Sequence, residues 1–350
     1  MSVNLGYACI NTQIKPGCNK TCRLDTAINK GLESGYPKGS FEYSKAIYDF
    51  LTDYGVRNLK GMYDIIKWNV ENDIFFYRMS SDMFPHICNP RIWEHLKEEH
   101  RCDYFGLRFA NELIYDIGKY VQKHGLRLTM HPGHYNQLGT PSKSVLQNTL
   151  NDLAWHARLL HLLEKGAQSY IDYQKRKDES YSKENILKHG ILCVHGGGTY
   201  KDKQKTIARW KKNFLRFPDF IRNRICLENC EKGYSVEDLL PICKELKIPL
   251  IFDFHHYNCW AHYHPDCPDQ KDISILLPEI LKTWEVRGIR PKFHLSDQAD
   301  NKKVGAHHDY VASIPKELIK LRETGYVFDI MIEAKKKELA VFKLKKKYRF

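Results

Sequence analysis

The chain alternates short apolar runs with longer segments of helical period. Eight runs are rich in β-branched or aromatic residues and have the length of buried strands. They lie at 4–11, 75–81, 127–131, 191–198, 225–229, 249–254, 292–297 and 329–335. Strands that alternate with helices are expected to be parallel, because each parallel return needs a crossover connection. Eight such units predict a single (β/α)8 TIM barrel, with a doubly wound open sheet as the alternative.

Two of the intervening segments carry clear helix signals. Residues 235–247 open on Ser235, and Asp238 follows three positions later, as in a capping box. Residues 143–166 have leucines three and four positions apart and end in Gly166. Glycine commonly follows the last turn of a helix, so this pattern predicts a helix that stops at Gly166.

Two stretches look inserted, and the end of the chain is unusually basic. Residues 172–185 are polar and charged, lack a period and are predicted to be an exposed loop, and residues 259–272 are the second segment that looks inserted. The second holds four zinc-ligand residue types, in a spacing that fits no standard zinc motif: Cys259, His262, His264 and Cys267. We predict one barrel domain over 1–335 and a basic C-terminal tail over 336–350, either a mobile arm or a nuclear-type signal.

Composition favours an intracellular protein that meets an anionic partner. The 350 residues contain no run of eighteen apolar residues and no basic-then-apolar leader, which argues against a membrane span or a signal peptide. A formal charge of +13 favours nucleic acid as partner. Eleven cysteines without a CxxC pair favour free thiols over a disulfide framework. We therefore expect a monomer in the cytoplasm or nucleus, without membrane attachment.

Metal-ligand residue types end the last six predicted strands. In chain order they are His131, His195, Glu228, Asp253, His294 and Glu333. The carboxyl ends of barrel strands converge over one mouth, so these residues are predicted to lie close together. A single histidine here would more often be a hydrogen-bonded structural residue, but six residues in phase indicate a metal site. Carboxylates among apolar neighbours point the same way, because a buried carboxylate is costly unless it meets a cation.

Two further histidines bring the candidate ligands to eight. His256 follows Asp253 by three residues, and His307 follows the seventh strand. Eight ligands fit a cluster of two or three divalent ions better than a single zinc, which takes four. The adjacent His255 and His308 are weaker candidates, because neighbours in sequence tend to face elsewhere.

Lys292 is an unusual residue for a metal site. It shares a strand face with His294 and should therefore point toward the cluster. A positive charge would be repelled there, so Lys292 is predicted to be neutral, carbamylated or paired with a phosphate. The alternative is that it caps the strand at the barrel floor.

A polynuclear metal cluster in a basic protein suits phosphodiester hydrolysis by metal-activated water. The ions lower the pKa of bound water and offset charge on the attacking and leaving oxygens, so no side-chain nucleophile is needed. Consistently, the chain has no GxSxG, no GxxxxGK[ST] and no HExxH motif. The glycines of HGGG at 195–198 are expected to let the backbone approach a phosphate.

Eight ordered motifs resemble those of the UV damage endonuclease family, relatives of endonuclease IV. They are LGYACIN, TMHPGHYNQ, CVHGGG, CLEN, FDFHH, KFHLS, GAH and IMIEAK, from about Leu5 to Lys335. The resemblance implies a metal-dependent barrel that nicks double-stranded DNA immediately 5′ to UV photoproducts and leaves a 3′-hydroxyl and a 5′-phosphate. Manganese is the usual activator in the family, with zinc or magnesium as alternatives. Glu228 and Lys292 are the catalytic candidates, and Glu228 would bridge two ions. The ligands carried over by position are His131, His195, Glu228, Asp253, His256, His294, His307 and Glu333.

The resemblance also assigns residues to DNA. In the family the residues after HPG form a probe that enters the duplex, and here they are His134 and Tyr135. An aromatic wedge replaces lost stacking, and a photoproduct that already stacks poorly costs less to extrude. Tyr7 and Asn11 match lesion-pocket positions, with hydrogen bonding at the barrel mouth as the alternative. The family commonly has glutamine where this chain has His134, which leaves lesion preference and pH optimum open.

Three other functions remain open at this point. An abasic-site endonuclease of the endonuclease IV type would share the metal chemistry and differ only in its lesion. A sugar isomerase or epimerase would use similar ligands on the same fold without needing the HPGHY probe or the basic charge. A DNA-binding protein with a vestigial site would not need all eight ligand positions filled.

Overall fold

The computed structural model describes residues 3–349, which form a β-barrel surrounded by helices. Met1, Ser2 and Phe350, the outermost residues of the predicted domain and tail, lie outside the described residues. The strands are β1 (Val3–Ala8), β2 (Phe76–Arg78), β3 (Arg127–Thr129), β4 (Leu192–His195), β5 (Ile225–Glu228), β6 (Leu250–Asp253), β7 (Lys292–Leu295) and β8 (Phe328–Ile332). The helices are α1 (Leu24–Glu33), α2 (Phe41–Glu71), α3 (Pro90–Trp93), α4 (Glu98–Phe105), α5 (Asn111–His124), α6 (Lys143–Lys177), α7 (Lys203–Phe214), α8 (Asp219–Arg222), α9 (Val236–Leu246), α10 (Phe254–Tyr263), α11 (Ile273–Glu285), α12 (Lys316–Glu323) and α13 (Lys337–Tyr348).

The strands form one parallel sheet that closes on itself. Their order is β3-β2-β1-β8-β7-β6-β5-β4, and the two ends meet where Met130, just after β3, pairs with Leu192 of β4. Two backbone hydrogen bonds of 2.9 Å join this seam, from Met130 N to Ile191 O and from Cys193 N to Met130 O. The predicted (β/α)8 TIM barrel is confirmed, and the closed seam rules out the doubly wound open sheet.

Alternate residues of the strands fill the barrel interior. At the floor, Arg127 of β3 donates to Asp329 of β8 at 2.9 Å, and both side chains are fully buried. Strands β3 and β8 are not neighbours in the sheet, so this contact crosses the interior. Two residues further along β8, Met331 packs with Phe76 in an apolar layer. Two more residues along the chain, Glu333 lies at the mouth. Because every second residue of a strand points inward, the alternation along each strand decides which side chains reach the site.

The helix that begins at Lys143 does not stop at Gly166, contrary to the sequence prediction. Helix α6 continues to Lys177, with Ile171 buried beyond the glycine. A Cβ on Gly166 would lie 2.2 Å from the carbonyl oxygen of Tyr115 in α5. The glycine therefore allows two helices to approach closely rather than ending one of them.

The predicted capping box on Ser235 is present at the start of α9. The two segments that look inserted are partly helical. Helix α6 includes the first part of 172–185, and helix α10 includes 259–263. Helix α10 carries buried side chains such as Trp260 into this segment, whereas the last buried residue of α6 is Ile171. Tertiary packing thus extends helices into segments whose local sequence lacks a clear period.

Most of the predicted basic tail is a packed helix rather than a mobile arm. Helix α13 packs against β1 and β8, and Leu344 is 1% exposed. The buried carboxylate of Glu338 accepts a hydrogen bond from the backbone N of Thr12 at 3.1 Å. The boundary between 1–335 and 336–350 stays a prediction. Among the described residues, no helix has the length and apolar character that a membrane crossing requires.

Candidate functional site

Glu228, the last residue of β5, lies at the centre of a group of imidazoles at the barrel mouth. His131 Nε2 donates to its Oε2 at 3.0 Å, and His294 Nδ1 donates to its Oε1 at 2.7 Å. His195 Nε2 lies 3.7 Å from the same Oε2. His195 and Glu228 are register partners on adjacent strands. Four strands thus bring these side chains to one point, as the sequence predicts.

Three overlapping groups of possible ligand atoms occur among the described residues. Within each group the atoms lie within 4.8 Å of one another. The groups are His131, Cys193 and Glu228; Glu228, Asp253 and His256; and Asp253, His294 and Glu333. Glu228 and Asp253 each belong to two groups. Shared carboxylates are suited to adjacent ions, because one carboxylate can bridge two of them.

The other two predicted ligands lie beside these groups. His195 approaches Glu228 as described above, and His307 Nε2 is 3.9 Å from Glu333 Oε2. Both histidines line the same cavity of about 570 Å³ over the cluster. The structure therefore brings all eight predicted ligand residues to one mouth.

Two carboxylates of the cluster, those of Glu228 and Glu333, are held in charged form by different partners. Burial alone raises the pKa of Glu228, but the imidazoles of His294 and His195 lower that pKa well below its usual range. Burial also raises the pKa of Glu333. The guanidinium of Arg78 is the main influence that brings this pKa well below its usual range. Both carboxylates are thus prepared to meet cations.

Asp253 and His256 lie in one environment, and the pKa of each side chain is raised there. Burial raises the pKa of Asp253 above its ordinary value. Burial alone would lower the pKa of His256, but the carboxylates of Asp253 and Glu228 raise it to about 10. The two neighbouring carboxylates thus favour a positive charge at the position of His256.

Several atoms of the cluster have no hydrogen-bond partner among the described residues. They are Asp253 Oδ2, His195 Nδ1 and His294 Nε2, all buried. A buried polar atom without a partner typically costs about 1–3 kcal/mol. Carboxylate and imidazole donors are ligands for manganese, zinc and related divalent ions. The donor set and these unpaired atoms fit a bound metal cluster.

Asn229 holds two of the candidate ligands in place. Its Nδ2 donates to the Asp253 carbonyl at 3.0 Å, and its Oδ1 accepts from the Asp253 backbone N at 2.8 Å. Its own carbonyl lies 2.9 Å from His256 Nδ1, which can donate to it. Hydrogen bonds of this kind orient metal ligands. Asn229, which directly follows β5, therefore positions both Asp253 at the end of β6 and His256 in α10.

Three residues of the site were missed in the sequence. Cys193 Sγ donates to Glu228 Oε2 at 2.7 Å, Arg78 pairs with Glu333, and Glu231 Oε2 lies 3.8 Å from His256 Nε2. Arg78 ends β2, so extending the comparison of strand ends to that strand would have found it. Cys193 precedes His195 by two residues on the same strand face. Nothing in the sequence distinguishes Glu231 from other surface acids.

The predicted probe residues lie at the edge of the same cavity. His134 and Tyr135 line it, and both are exposed, Tyr135 to 62%. The His134 ring stacks on that of His195 with centroids 4.4 Å apart. The role of these two residues as a probe stays a prediction.

Tyr7 and Asn11 do not line this cavity. Both are fully buried. The Tyr7 hydroxyl donates to Asn69 Oδ1 in α2 at 2.6 Å and accepts from Asn11 Nδ2 at 2.7 Å. On β1 the side chain of Tyr7 points outward to the helices, because it is out of phase with Ala8, which packs inside the barrel. This arrangement is the hydrogen-bonding alternative, and the lesion-binding role stays a prediction.

Lys292 is fully buried inside the barrel, two residues before His294. Its Nζ has no hydrogen-bond partner among the described residues and lies 6.0 Å from the Phe76 ring centroid. Burial lowers its pKa to about 8. The floor carboxylate Asp329 pairs with arginines, as shown for Arg127. These contacts favour the predicted interior position over a cap at the floor.

The weaker candidates stand apart from the three groups. His255 is buried with its ring 5.4 Å from that of His307, and His308 Nε2 lies 3.8 Å from the exposed Asp300. The cysteines and histidines of 259–267 form no ligand group among the described residues. His264 instead stacks on Trp260 at 3.6 Å. Among the described residues, a structural zinc at 259–267 therefore has no support.

Comparisons with known proteins identify a family for this chain and a similar fold. The model of a family described as UV-endonuclease UvdE matches residues 3–349. The chain is 34% identical over 350 residues to a protein of Acanthamoeba polyphaga mimivirus, covering 99% of this chain and 91% of that protein. It is 32% identical over 354 residues to the UV-damage endonuclease of Schizosaccharomyces pombe, covering 98% of this chain and 50% of that protein, so it spans about half of that relative's length. The solved structure of SacUVDE has a TM-score of 0.72 at 24% identity, covers 99% of this chain and 98% of its own, and supports the fold.

Proposed function

The chain belongs to the UV-endonuclease UvdE family, and from this premise we propose a metal-dependent DNA-repair endonuclease that nicks double-stranded DNA immediately 5′ to UV photoproducts. Family membership carries the endodeoxyribonuclease activity and the DNA substrate. The position of the nick, the lesion class and the metal dependence are the finer parts of the proposal. The formal charge of +13 supports a polyanionic substrate.

The observation that carries the proposal is the sharing of Glu228 and Asp253 between ligand groups. Two or three divalent ions would be held by the eight candidate residues, with Glu228 as the bridge. Bound there, such ions would supply an activated water and offset negative charge on the scissile phosphate. Manganese is the proposed native ion, with zinc and magnesium as alternatives.

The chain's own residues set up this chemistry. Glu228 fixes His131 and His294 through the hydrogen bonds described above. Cys193 donates to Oε2, the oxygen that His131 also contacts, and so further limits how Glu228 can turn. A ligand set held in this way needs little rearrangement when substrate binds.

Lys292 is the second proposed catalytic residue. With no exposed surface, it cannot pair directly with a phosphate of the substrate in this conformation. Burial lowers the pKa of its unpaired Nζ to about 8, which raises the fraction of neutral amine, the form that reacts to give a carbamate. Carbon-13 NMR of protein equilibrated with labelled bicarbonate should show a carbamate signal that is lost in Lys292→Arg, if Lys292 is modified.

His134 and Tyr135 are proposed to enter the duplex at the lesion, since both are exposed beside the cluster. Tyr7 and Asn11 are proposed to support the loop after β1 from beneath it. Asn11 Oδ1 accepts from the backbone N of Gln13 at 2.8 Å, which shapes the loop after β1. A lesion pocket formed by that loop would depend on both residues without direct contact.

Supercoiled plasmid, irradiated or not, tests the function with purified protein and manganese. We expect nicking of irradiated plasmid only, and its loss with chelator. Primer extension on the product should place the nick 5′ to the photoproduct. Equal nicking of both plasmids would refute lesion specificity, and a preference for plasmid with abasic sites would favour the endonuclease IV type of activity.

Glu228→Gln tests the bridging role with the size of the side chain kept. We expect loss of cleavage, loss of bound metal by elemental analysis, and retained binding of irradiated DNA. Glu164→Gln is the matched control, because Glu164 pairs with Arg224 near the amino end of β5. Cleavage by Glu228→Gln at the rate of this control would refute the bridge.

A further inference from the structure

The side chain of Asp152 in α6 contacts the predicted probe loop from below. Its Oδ1 accepts from the Tyr135 hydroxyl at 3.1 Å, and its Oδ2 accepts from Asn136 Nδ2 at 2.7 Å. Asp152 is 2% exposed. Two consecutive residues of the loop are therefore tied to the two oxygens of one buried carboxylate.

The remaining partners of Asp152 keep the carboxylate in a fixed position. Trp155 Nε1 donates to Oδ1 at 3.0 Å, and Cys88 Sγ approaches the same oxygen at 3.5 Å. His156 Nδ1 is 3.7 Å from Oδ2, and burial lowers the pKa of that imidazole. A carboxylate held by several donors rather than by a flexible surface cation has little freedom to move.

Tyr135 is confined from its other side by Gly133. A Cβ on Gly133 would lie 2.5 Å from Cε1 of the Tyr135 ring, so the ring lies directly on the glycine. Asn136 Nδ2 also donates to the Gly133 carbonyl at 2.9 Å. The ring is thus fixed at its hydroxyl and along one edge, while 62% of the residue faces solvent.

We propose that Asp152 is a positioning residue, which holds Tyr135 and Asn136 in the conformation that contacts damaged DNA. This inference rests on the proposed function, in which Tyr135 enters the duplex. The hydroxyl stays bonded to Asp152 in the complex, so the ring and not the hydroxyl meets the bases. Fixing the ring beforehand removes an ordering cost from binding.

Tyr135→Phe tests the inference with little risk to folding, because it removes only the hydroxyl. Asp152→Asn is the second variant, since its amide would place a donor against the Asn136 or Trp155 donor. Dissociation constants for irradiated and intact duplexes are measured with chelator present to prevent cleavage. Each variant should bind the irradiated duplex up to about tenfold more weakly, the cost of ordering one side chain on binding, and the intact duplex as before.

The double variant separates positioning from a general structural effect. If Tyr135 acts through its bond to Asp152, Tyr135→Phe with Asp152→Asn should lose no more than Asp152→Asn alone. Tyr48→Phe is the matched control, because it removes a tyrosine–aspartate hydrogen bond of 2.6 Å to Asp103, between α2 and α4. That control should keep the preference for irradiated DNA.

Two results would overturn the inference while the proposed function stands. One is Tyr135→Phe binding irradiated DNA as tightly as the wild type or more tightly, since the ring would then swing free of Asp152 in the complex. The other is additive losses in the double variant. A wild-type protein that binds both duplexes equally would instead overturn the proposed function itself.

Discussion

Arg78→Met should show that a protein cation occupies part of the proposed metal site. Arg78 ends β2 and pairs with Glu333, one of the eight candidate ligands. The side chains of Arg78 and Glu333 are only 15% and 10% exposed. Methionine keeps much of the length of arginine without its charge. The substitution therefore leaves a buried carboxylate without its main partner.

The size of the effect follows from this burial. Removing one member of a buried ion pair costs roughly 3–5 kcal/mol, because the remaining charge is uncompensated. A surface pair would contribute only about 0–1 kcal/mol, but neither side chain is at the surface. A bound divalent ion would compensate Glu333 in place of the guanidinium. The destabilisation should therefore be about 1–3 kcal/mol smaller when metal is saturating, with metal affinity correspondingly higher.

Urea unfolding, followed by circular dichroism, measures both numbers. Wild type and Arg78→Met are compared after removal of metal and again with saturating manganese, and calorimetry gives the metal affinities. Arg224→Met is the control, because Arg224 pairs with Glu164 away from the cluster. Its effect on stability should be the same with and without manganese. Equal destabilisation of Arg78→Met in both conditions would refute the reasoning that metal replaces Arg78 beside Glu333.

Three further predictions concern stability. Burial, followed by the charge of the nearby Arg127, lowers the pKa of His189 to about 4 from 6.5. The stability that neutral His189 contributes is complete above pH 6.5 and is lost as the pH falls toward 4. Urea unfolding over this pH range should show a loss of about 3 kcal/mol that is absent in His189→Gln. Gly166→Ala should lower stability by roughly 1–3 kcal/mol by pressing on the Tyr115 carbonyl, and an unchanged urea midpoint would contradict the close helix contact. Leu344→Ala should cost about 2–5 kcal/mol, and a change under about 0.5 kcal/mol would mean that α13 adds little to the fold.

The sequence was informative wherever a periodic pattern and a residue type coincided. Each apolar run gave a strand, and His195, Glu228 and Asp253 end their strands as predicted. Parallel strands in a barrel share one direction, so residues at their ends must meet. This is why the candidate ligand residues could be named before any distance was known.

Local pattern failed where a neighbour in space decided the outcome. Gly166 looks like a helix stop, but its role is set by the Tyr115 backbone, which belongs to another helix. Tyr7 ends up against Asn69 in α2 rather than in the cavity. The charge pattern of 336–350 predicts a solvated arm, but a few buried residues such as Leu344 dock it as a helix.

By itself, the sequence determined the order of strands and helices, the barrel, and which residue types stand at the strand ends, because these follow from hydrophobic period and chain direction. Only the tertiary structure decided how the site is arranged. Arg78 beside Glu333, Cys193 beside Glu228 and the attachment of Tyr135 to Asp152 each join segments far apart in the chain. Such contacts depend on barrel closure and side-chain direction in three dimensions, and no local pattern of residues encodes them.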